Sequence, residues 1–448
     1  MNTGNKPLEK VNSMIRNSIM LKLLIITTLM LLLLIPASMI QSIIYEREQM
    51  NNNAISEVSS KWANSQQING PILSIPLVYE YEKDGKAHRR TEILKVLPET
   101  LKINGIVDPE KLRRGIYEVV VYKSNLDLAG DFDLKLDIDS TNLKEIQYQN
   151  AYLNIGISDL RGIQNKIEFH WGEDNLAVEP GTKVGTILRS GINIKLPNLK
   201  DQIGDKVNFQ FKLDLQGSHN LSFIPLGSST EVNLQSTWNS PSFNGNFLPD
   251  ARSVSDSGFS AQWSILQLNR NFPQSWTSGI SNETLQSAAF GMDLLLPLDD
   301  YQKSLRSAKY ASMTIALTFL IFFLVEVLNQ RKIHPLQYAL VGISLILFYT
   351  LLVSISEHSN FNLAYGISSL GVVAMISLYS ISIFKKAKVV LLLTLILGGI
   401  YGFLFVTLQL ADYALLMGSI GLSIILGGTM YFTRNIDWYK LNFETPEN

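Results

Sequence analysis

Hydrophobic and polar positions follow two different periods along this chain, and the change of period marks its regions. The run "LLIITTLMLLLLIPASMI" lies in an uncharged stretch between Lys22 and Glu46. Five more apolar runs follow: from Lys309 to Arg331, interrupted by Glu326; "HPLQYALVGISLILFYTLLVSISEH" (334–358); from Ser359 to Phe384; between Lys388 and Asp412; and between Asp412 and Arg434. A bilayer core about 30 Å thick takes roughly 20 apolar residues in helix, since every backbone polar group must bond within its own segment. The pattern therefore predicts six membrane spans.

Between the first and second runs the period falls to two. In "DKVNFQFKLDLQG" (205–217) Val207, Phe209, Phe211, Leu213 and Leu215 share one side. Residues 131–139, 151–157, 191–196 and 230–238 alternate in the same way. Such alternation predicts strands with one buried and one solvated face. Asp84-Gly85 reads as a hairpin turn, and Asn69-Gly70, Asn104-Gly105 and Asn244-Gly245 as further turns. Many short strands predict an antiparallel, sandwich-like domain. Residues 46–68 and 298–309 read as helices that lead into and out of it.

The expected fold is a membrane protein with six transmembrane helices, an N-terminal anchor plus a five-helix C-terminal bundle, and a large antiparallel β-rich domain after the first helix. The expected segments are a cytoplasmic N-terminus (1–22), an anchor (23–45), a periplasmic β domain (46–305), a helical domain (308–433) and a cytoplasmic tail (434–448). The first run is read as a retained anchor rather than a cleaved signal peptide. It is long, and "PASMIQS" offers no convincing small-residue cleavage site.

Charge sets the orientation. Lys6, Lys10, Arg16 and Lys22 precede the first run, and "NQRKIH" (329–334) and "KKAK" (385–388) fall on the same side. The opposite junctions, "SEHSNFN" (356–362) and "LQLAD" (408–412), lack lysine and arginine. The positive-inside rule then puts both termini in the cytoplasm and residues 46–305 outside it. The whole chain of 448 residues has a net charge of −1 and no cysteine. There is no basic excess to suggest nucleic-acid binding, and no disulfide, thiolate metal site or cysteine nucleophile can form.

Several stretches carry a family resemblance: "STWNSPSFNGNFLPD" (236–250), "GFSAQWSILQLNRNFPQSW" (258–276), "FGMDLLLPLDDYQKSLRSAKYA" (290–311), the run at 334–358 and "DYALLMGSIGLSIILGGTMYFTRNIDWYKL" (412–441). Together they resemble the CreD family of bacterial inner-membrane, cell envelope integrity proteins. The resemblance implies an inner membrane with the insert in the periplasm. It also implies an association with envelope phenotypes such as colicin tolerance and responses to β-lactams. It brings neither a reaction nor an established ligand.

Glu326 is the acid inside a span, and an intramembrane ionisable residue suggests function by default. The plainer reading pairs it with Arg331 or with a polar group on a neighbouring helix. His334 and His358 are separated by about 36 Å of helix and cannot share a metal; His334-Pro335 reads as a helix cap. Glu357 and His358, with Asp412, Asp299 and Asp300, form a candidate polar external rim. That rim is open to three readings: a divalent cation, an inter-domain polar network, or plain solvation. His88, His170 and His219 are scattered. Phe243 and Phe247 in "SPSFNGNFLP" (240–249) belong either to a packed turn or to a partner-contact loop. Glycines in the last three runs suggest close helix packing. No H-E-x-x-H, G-x-S-x-G or P-loop is present, so no enzyme activity and no cofactor are expected.

The expected function is a non-catalytic inner-membrane protein that senses or supports envelope integrity through a tethered β domain. Its partners would be membrane lipids and an envelope component or periplasmic ligand. The alternatives are a transporter or export component, and a carrier of lipids or amphiphiles.

Overall fold

The computed structural model describes the chain apart from residues 1–18, 85, 186, 296–299, 330, 411–412 and 435–448. It divides into two compact units, one of Met1–Asn51 with Leu298–Asn448 and one of Asn52–Pro297. Helix α1 (Ile19–Trp62) is continuous through Pro36 and contributes to both.

In the β unit, one sheet runs in the order β14 (Pro241–Gly245), β18 (Phe290–Leu294), β12 (Asn220–Phe223), β1 (Gln66–Lys83), β6 (Tyr152–Ile157), β10 (Gly191–Lys195), β9 (Val178–Pro180). Strands β2 (Lys86–Val96) and β5 (Leu143–Ile146) also pair with β1, and β17 (Ser275–Trp276) pairs with β2. The second sheet runs β15 (Ala251–Ser255), β16 (Gly258–Leu266), β13 (Ser229–Ser236), β3 (Thr100–Arg114), β4 (Tyr117–Asp133), β11 (Lys206–Ser218), β7 (Phe169–Trp171), β8 (Asp174–Leu176). A short helix, α2 (Asn282–Gln286), precedes β18. Both sheets feed one hydrophobic core that includes Ile72, Leu128, Phe211 and Trp263. This is a sandwich, mostly antiparallel. Two pairs, β1 with β12 and β3 with β13, are parallel, because their members are distant in sequence and joined by crossovers rather than hairpins.

Strand β11 alternates buried and exposed residues as its sequence does. The stretch 131–139 differs from expectation: strand pairing stops at Asp133, the end of β4. Beyond it Leu134 is still buried, and Leu136 and Ile138 pack against the core, so the alternation reports burial without a ladder. All six residues of β6 are buried, so it has no solvated face. Lys83 pairs with Lys86 at the end of the β1–β2 ladder, and Gly85 between them lies outside the described residues. Gly70, in contrast, sits inside β1, where the register with β6 shifts. Gly105 is interior to β3: a Cβ there would lie 2.5 Å from Leu126 Cδ2 and 2.7 Å from Leu234 Cδ2. That glycine serves cross-strand packing rather than a turn.

Beyond the β unit come α3 (Asp300–Lys309), α4 (Ala311–Leu328), α5 (Pro335–Ser356), α6 (Phe361–Phe384), α7 (Ala387–Gln409) and α8 (Ala414–Thr433). Among the described residues, α1, α4, α5, α6 and α7 are long and apolar enough to cross a membrane. The sixth span is less clear. Within α8 the apolar stretch is Leu416–Tyr431, about 24 Å of helix at roughly 1.5 Å per residue.

Helix α1 belongs to the core of the helical unit. Ile26, Leu33, Ala37, Ile40 and Ile44 are buried with residues of α4 and α5. Their spacing of seven, four, three and four residues is a coiled-coil seam. Leu33 fits because α5 carries Gly342 opposite it: a Cβ there would lie 2.2 Å from Leu33 Cδ1. The interior is filled by large side chains, among them Phe319, Phe322, Phe348, Tyr338 and Tyr349.

Candidate functional site

Glu326 lies near the end of α4 and is fully buried. Its carboxylate has three donors from three parts of the chain. The Lys22 ammonium, at the start of α1, pairs with Oε1. The Ile333 backbone N–H donates to Oε1 at 2.7 Å, and the Tyr338 hydroxyl of α5 to Oε2 at 2.8 Å. Phe319 and Phe322 close over the Tyr338 ring at 5.6 and 6.3 Å. A buried carboxylate is stable only when paired and hydrogen-bonded, and this one has both. The expected pairing to a neighbouring helix is therefore found, with Lys22 as the partner rather than Arg331. Next to it, His334 Nδ1 accepts the Leu336 N–H at 3.2 Å and Gln337 Oε1 accepts the His334 N–H at 2.9 Å, with Pro335 at the first turn. His334 is the cap of α5.

The candidate rim is resolved in part. Glu357 caps the C-terminus of α5, and its Oε1 lies 3.3 Å from Nε of Arg47 on α1. His358 follows, exposed to solvent. Asp299 and Asp412 lie outside the described residues, as does the Asp300 side chain. Among the described residues no group of three His, Asp or Glu side chains is placed to hold a metal. Arg47 and Lys22 are 25 residues apart on one helix, about 37 Å, slightly more than the hydrocarbon core. The part of helix α1 within the helical unit is thus pinned by an ion pair near its start, at Lys22, and another at Arg47. Between them, Gln41 Nε2 donates to the Ala308 carbonyl at 3.2 Å, and Gln302 Nε2 of α3 donates to Glu48 at 3.2 Å.

Sequence reasoning missed Lys22 and Arg47 as partners. It counted Lys22 only toward orientation. The usable signal was depth, because a buried acid near one end of a span requires a cation at the same level. Close helix packing at the late glycines is also corrected. Gly366, Gly398 and Gly402 have open space at the Cβ position and line a groove of about 510 Å³ with Tyr365, Tyr401 and Phe405. Of the nine glycines in question, Gly421 alone meets a close neighbour, Phe403. In the third run Gly342 likewise allows close approach, there of Leu33.

In the β unit, Phe243 meets Phe259 and Trp263 edge-on, each at 5.7 Å, and Phe247 meets Phe290 at 6.2 Å. Trp263 Nε1 donates to the Phe247 carbonyl at 3.2 Å. Both phenylalanines pack against the core; exposure falls instead on the adjacent Leu248. His88 stacks on Tyr81 at 5.9 Å, and His170 is exposed between the buried Phe169 and Trp171. Burial pulls the pKa of His219 down.

The most elaborate polar centre of this unit is Gln66, fully buried on β1. Its Nε2 donates to the carbonyls of Asp159 and Gln216, both at 2.9 Å, and its Oε1 accepts from the Asp159 N–H at 3.1 Å. The Asp159 carboxylate is itself held at about 2, well below its usual range, mainly by its hydrogen bond to Arg161.

A chain with five described helices long and apolar enough to cross a membrane, a β-sandwich and a buried, paired acid belongs to the class of multi-pass membrane proteins with a large non-membrane insert. The particular family follows from comparison. Residues 18–439 match the family model described as "Inner membrane protein CreD". The chain is also 35% identical over 412 residues to "Inner membrane protein CreD" of Escherichia coli (strain K12), covering 91% of each chain. The chain belongs to the CreD family and is a multi-pass inner-membrane protein.

Proposed function

We propose that this protein senses or supports cell-envelope integrity without catalysing a reaction, with the β unit in the periplasm and both termini in the cytoplasm. The observation that carries this reading is helix α1. It is one continuous element: its first part is pinned in the bundle by Lys22–Glu326 and Arg47–Glu357, and its last turns are fixed to the β unit. There Arg114 forms a two-pronged pair with Glu57, at 2.9 Å for Nη2 and 3.2 Å for Nε, and Arg161 donates to the Ser60 carbonyl. The aromatic-filled interior of the bundle supports this reading over transport.

The test is complementation. In cells lacking their own copy, Lys22→Ala should leave protein levels intact yet restore envelope resistance to detergent no better than empty vector. Full restoration would contradict the proposal. The absence of native cysteine makes topology directly measurable: single cysteines introduced at Asn175 or Ser253 should react with an impermeant thiol reagent in intact spheroplasts. Protection at both sites would overturn the periplasmic assignment.

A further inference from the structure

The chain passes between the two sheets of the β unit at a single residue. Strand β11 of the second sheet ends at Ser218, strand β12 of the first begins at Asn220, and His219 joins them. Its φ of 60° lies in the left-handed region, which histidine enters more readily than most side chains. The His219 N–H donates to the Val120 carbonyl of β4 at 3.3 Å, and its carbonyl accepts the Leu294 N–H of β18 at 2.7 Å. One residue thus bonds to both sheets. The segment leaving α1 is fastened to the same corner. The Ser218 N–H donates to the Asn64 carbonyl at 3.4 Å, and Ser65 Oγ donates to the Ser218 carbonyl at 3.1 Å.

The imidazole is the weak point of this corner. Its Nε2 is buried and has no hydrogen-bond partner among the described residues. A ring protonated at Nδ1 alone leaves only a lone pair unmet there. A second proton places a charged N–H in the same position, at a far higher cost. Asp293 on β18 attracts the charged ring. Its two oxygens are already taken, Oδ1 by Asn220 Nδ2 at 2.8 Å and Oδ2 by Asn244 Nδ2 at 2.6 Å. The other charged or titratable groups on the elements at the corner have partners of their own. Tyr122 of β4 donates to the Asn220 carbonyl at 2.8 Å, and Lys123 lies over the Trp62 ring. Glu118 is held by Arg113, and Asp159 by Asn64 and Arg161. We propose that His219 is an acid-sensitive joint: its protonation opens the crossing between the sheets and, with it, the attachment of the segment that follows α1.

The direction follows from burial, which keeps the pKa of folded His219 below its usual 6.5. The opened corner binds the proton more tightly than the closed one, so opening is favoured as pH falls through 6.5. The inference goes beyond the sensing role. Its readout lies wholly in the β unit, so it succeeds or fails independently of complementation by Lys22→Ala. The experiment is hydrogen exchange of the full chain in bilayer discs at pH 7.5 and 5.5, with rates corrected for the intrinsic effect of pH. Peptides covering 217–224 and 63–68 should open about three- to tenfold more at pH 5.5, tenfold being the linkage limit for a group of pKa 6.5. The centre of β4, at 124–130, should not change. His219→Asn keeps a side chain that tolerates the left-handed corner but cannot take the proton, and should abolish the difference. Asp293→Asn removes the attracting charge and should move the onset to lower pH. Equal opening of 217–224 at the two pH values, a difference that survives His219→Asn, a change shared by 124–130, or an onset unmoved by Asp293→Asn would overturn the proposal.

Discussion

The two units each bury a polar side chain completely, and they satisfy it in opposite ways. In the sandwich, Gln66 is neutral and bonds to backbone groups of Asp159 and Gln216. In the bundle, Glu326 is paired with a cation contributed by α1, more than 300 positions earlier in the chain. A sheet can leave backbone carbonyls free for a side chain, whereas membrane helices consume theirs internally. The helical unit therefore has to draw partners from side chains and loop ends. The lesson is that the sandwich polar centre joins β1 of one sheet to β11 of the other and to the Asp159 turn through backbone groups, while the bundle centre ties α1, the loop before α5, and α5 itself together through a charged pair.

The sharpest way to break that contrast is to remove one side of each centre. Glu326→Ala leaves the half-buried Lys22 and the buried Tyr338 hydroxyl without their partner and should cost about 2–4 kcal/mol, read as a lowered unfolding midpoint in bilayer discs. A midpoint within error of the parent would refute the paired-centre account. Gln66→Ala strands two carbonyls and an N–H, so a smaller loss of about 1–3 kcal/mol is expected, followed by tryptophan fluorescence in urea. Gly342→Val crowds Leu33 and should cost about 1–3 kcal/mol, with the effect confined to the helical unit. A loss shared equally by the β unit would contradict separate cores.

The two remaining effects are weaker. Arg47→Ala removes a partly exposed pair and should change stability by about 0–1 kcal/mol, well below the effect at Glu326. For Asp159 the folded pKa lies below the unfolded one, near 2 against 3.8. Its contribution is therefore complete above about pH 4 and is lost as pH falls toward 2. Unfolding of the β unit measured at pH 5 and pH 2.5 should show a smaller pH dependence in Asp159→Asn than in the parent. An unchanged dependence would remove Asp159 from the account.

The contrast also explains what was legible in the sequence. Strand β11 could be read from alternation alone because its two faces meet different surroundings. Strand β6 could not, since both faces are buried and the signal vanishes. The helices were legible from length and apolarity, and the capping of α5 by His334 from the His-Pro pair. Glycine misled in both units. Gly70 and Gly105 sit within strands rather than turns, and Gly398 and Gly402 line a groove rather than a contact. A glycine reports that a side chain is absent, and only the three-dimensional neighbours say why. Glu326 stood out as a lone acid, yet Lys22 was hidden because its charge had a sufficient explanation in orientation.

The central claim is that half-buried Lys22 and buried Glu326 act as one paired unit that fixes α1 to the bundle. A double-mutant cycle with Lys22→Met and Glu326→Leu, measured by reversible unfolding in bilayer discs, tests it directly. The account predicts that the double variant is more stable than the sum of the single losses, with a coupling of about 1–3 kcal/mol. Additivity within about 0.5 kcal/mol would contradict it.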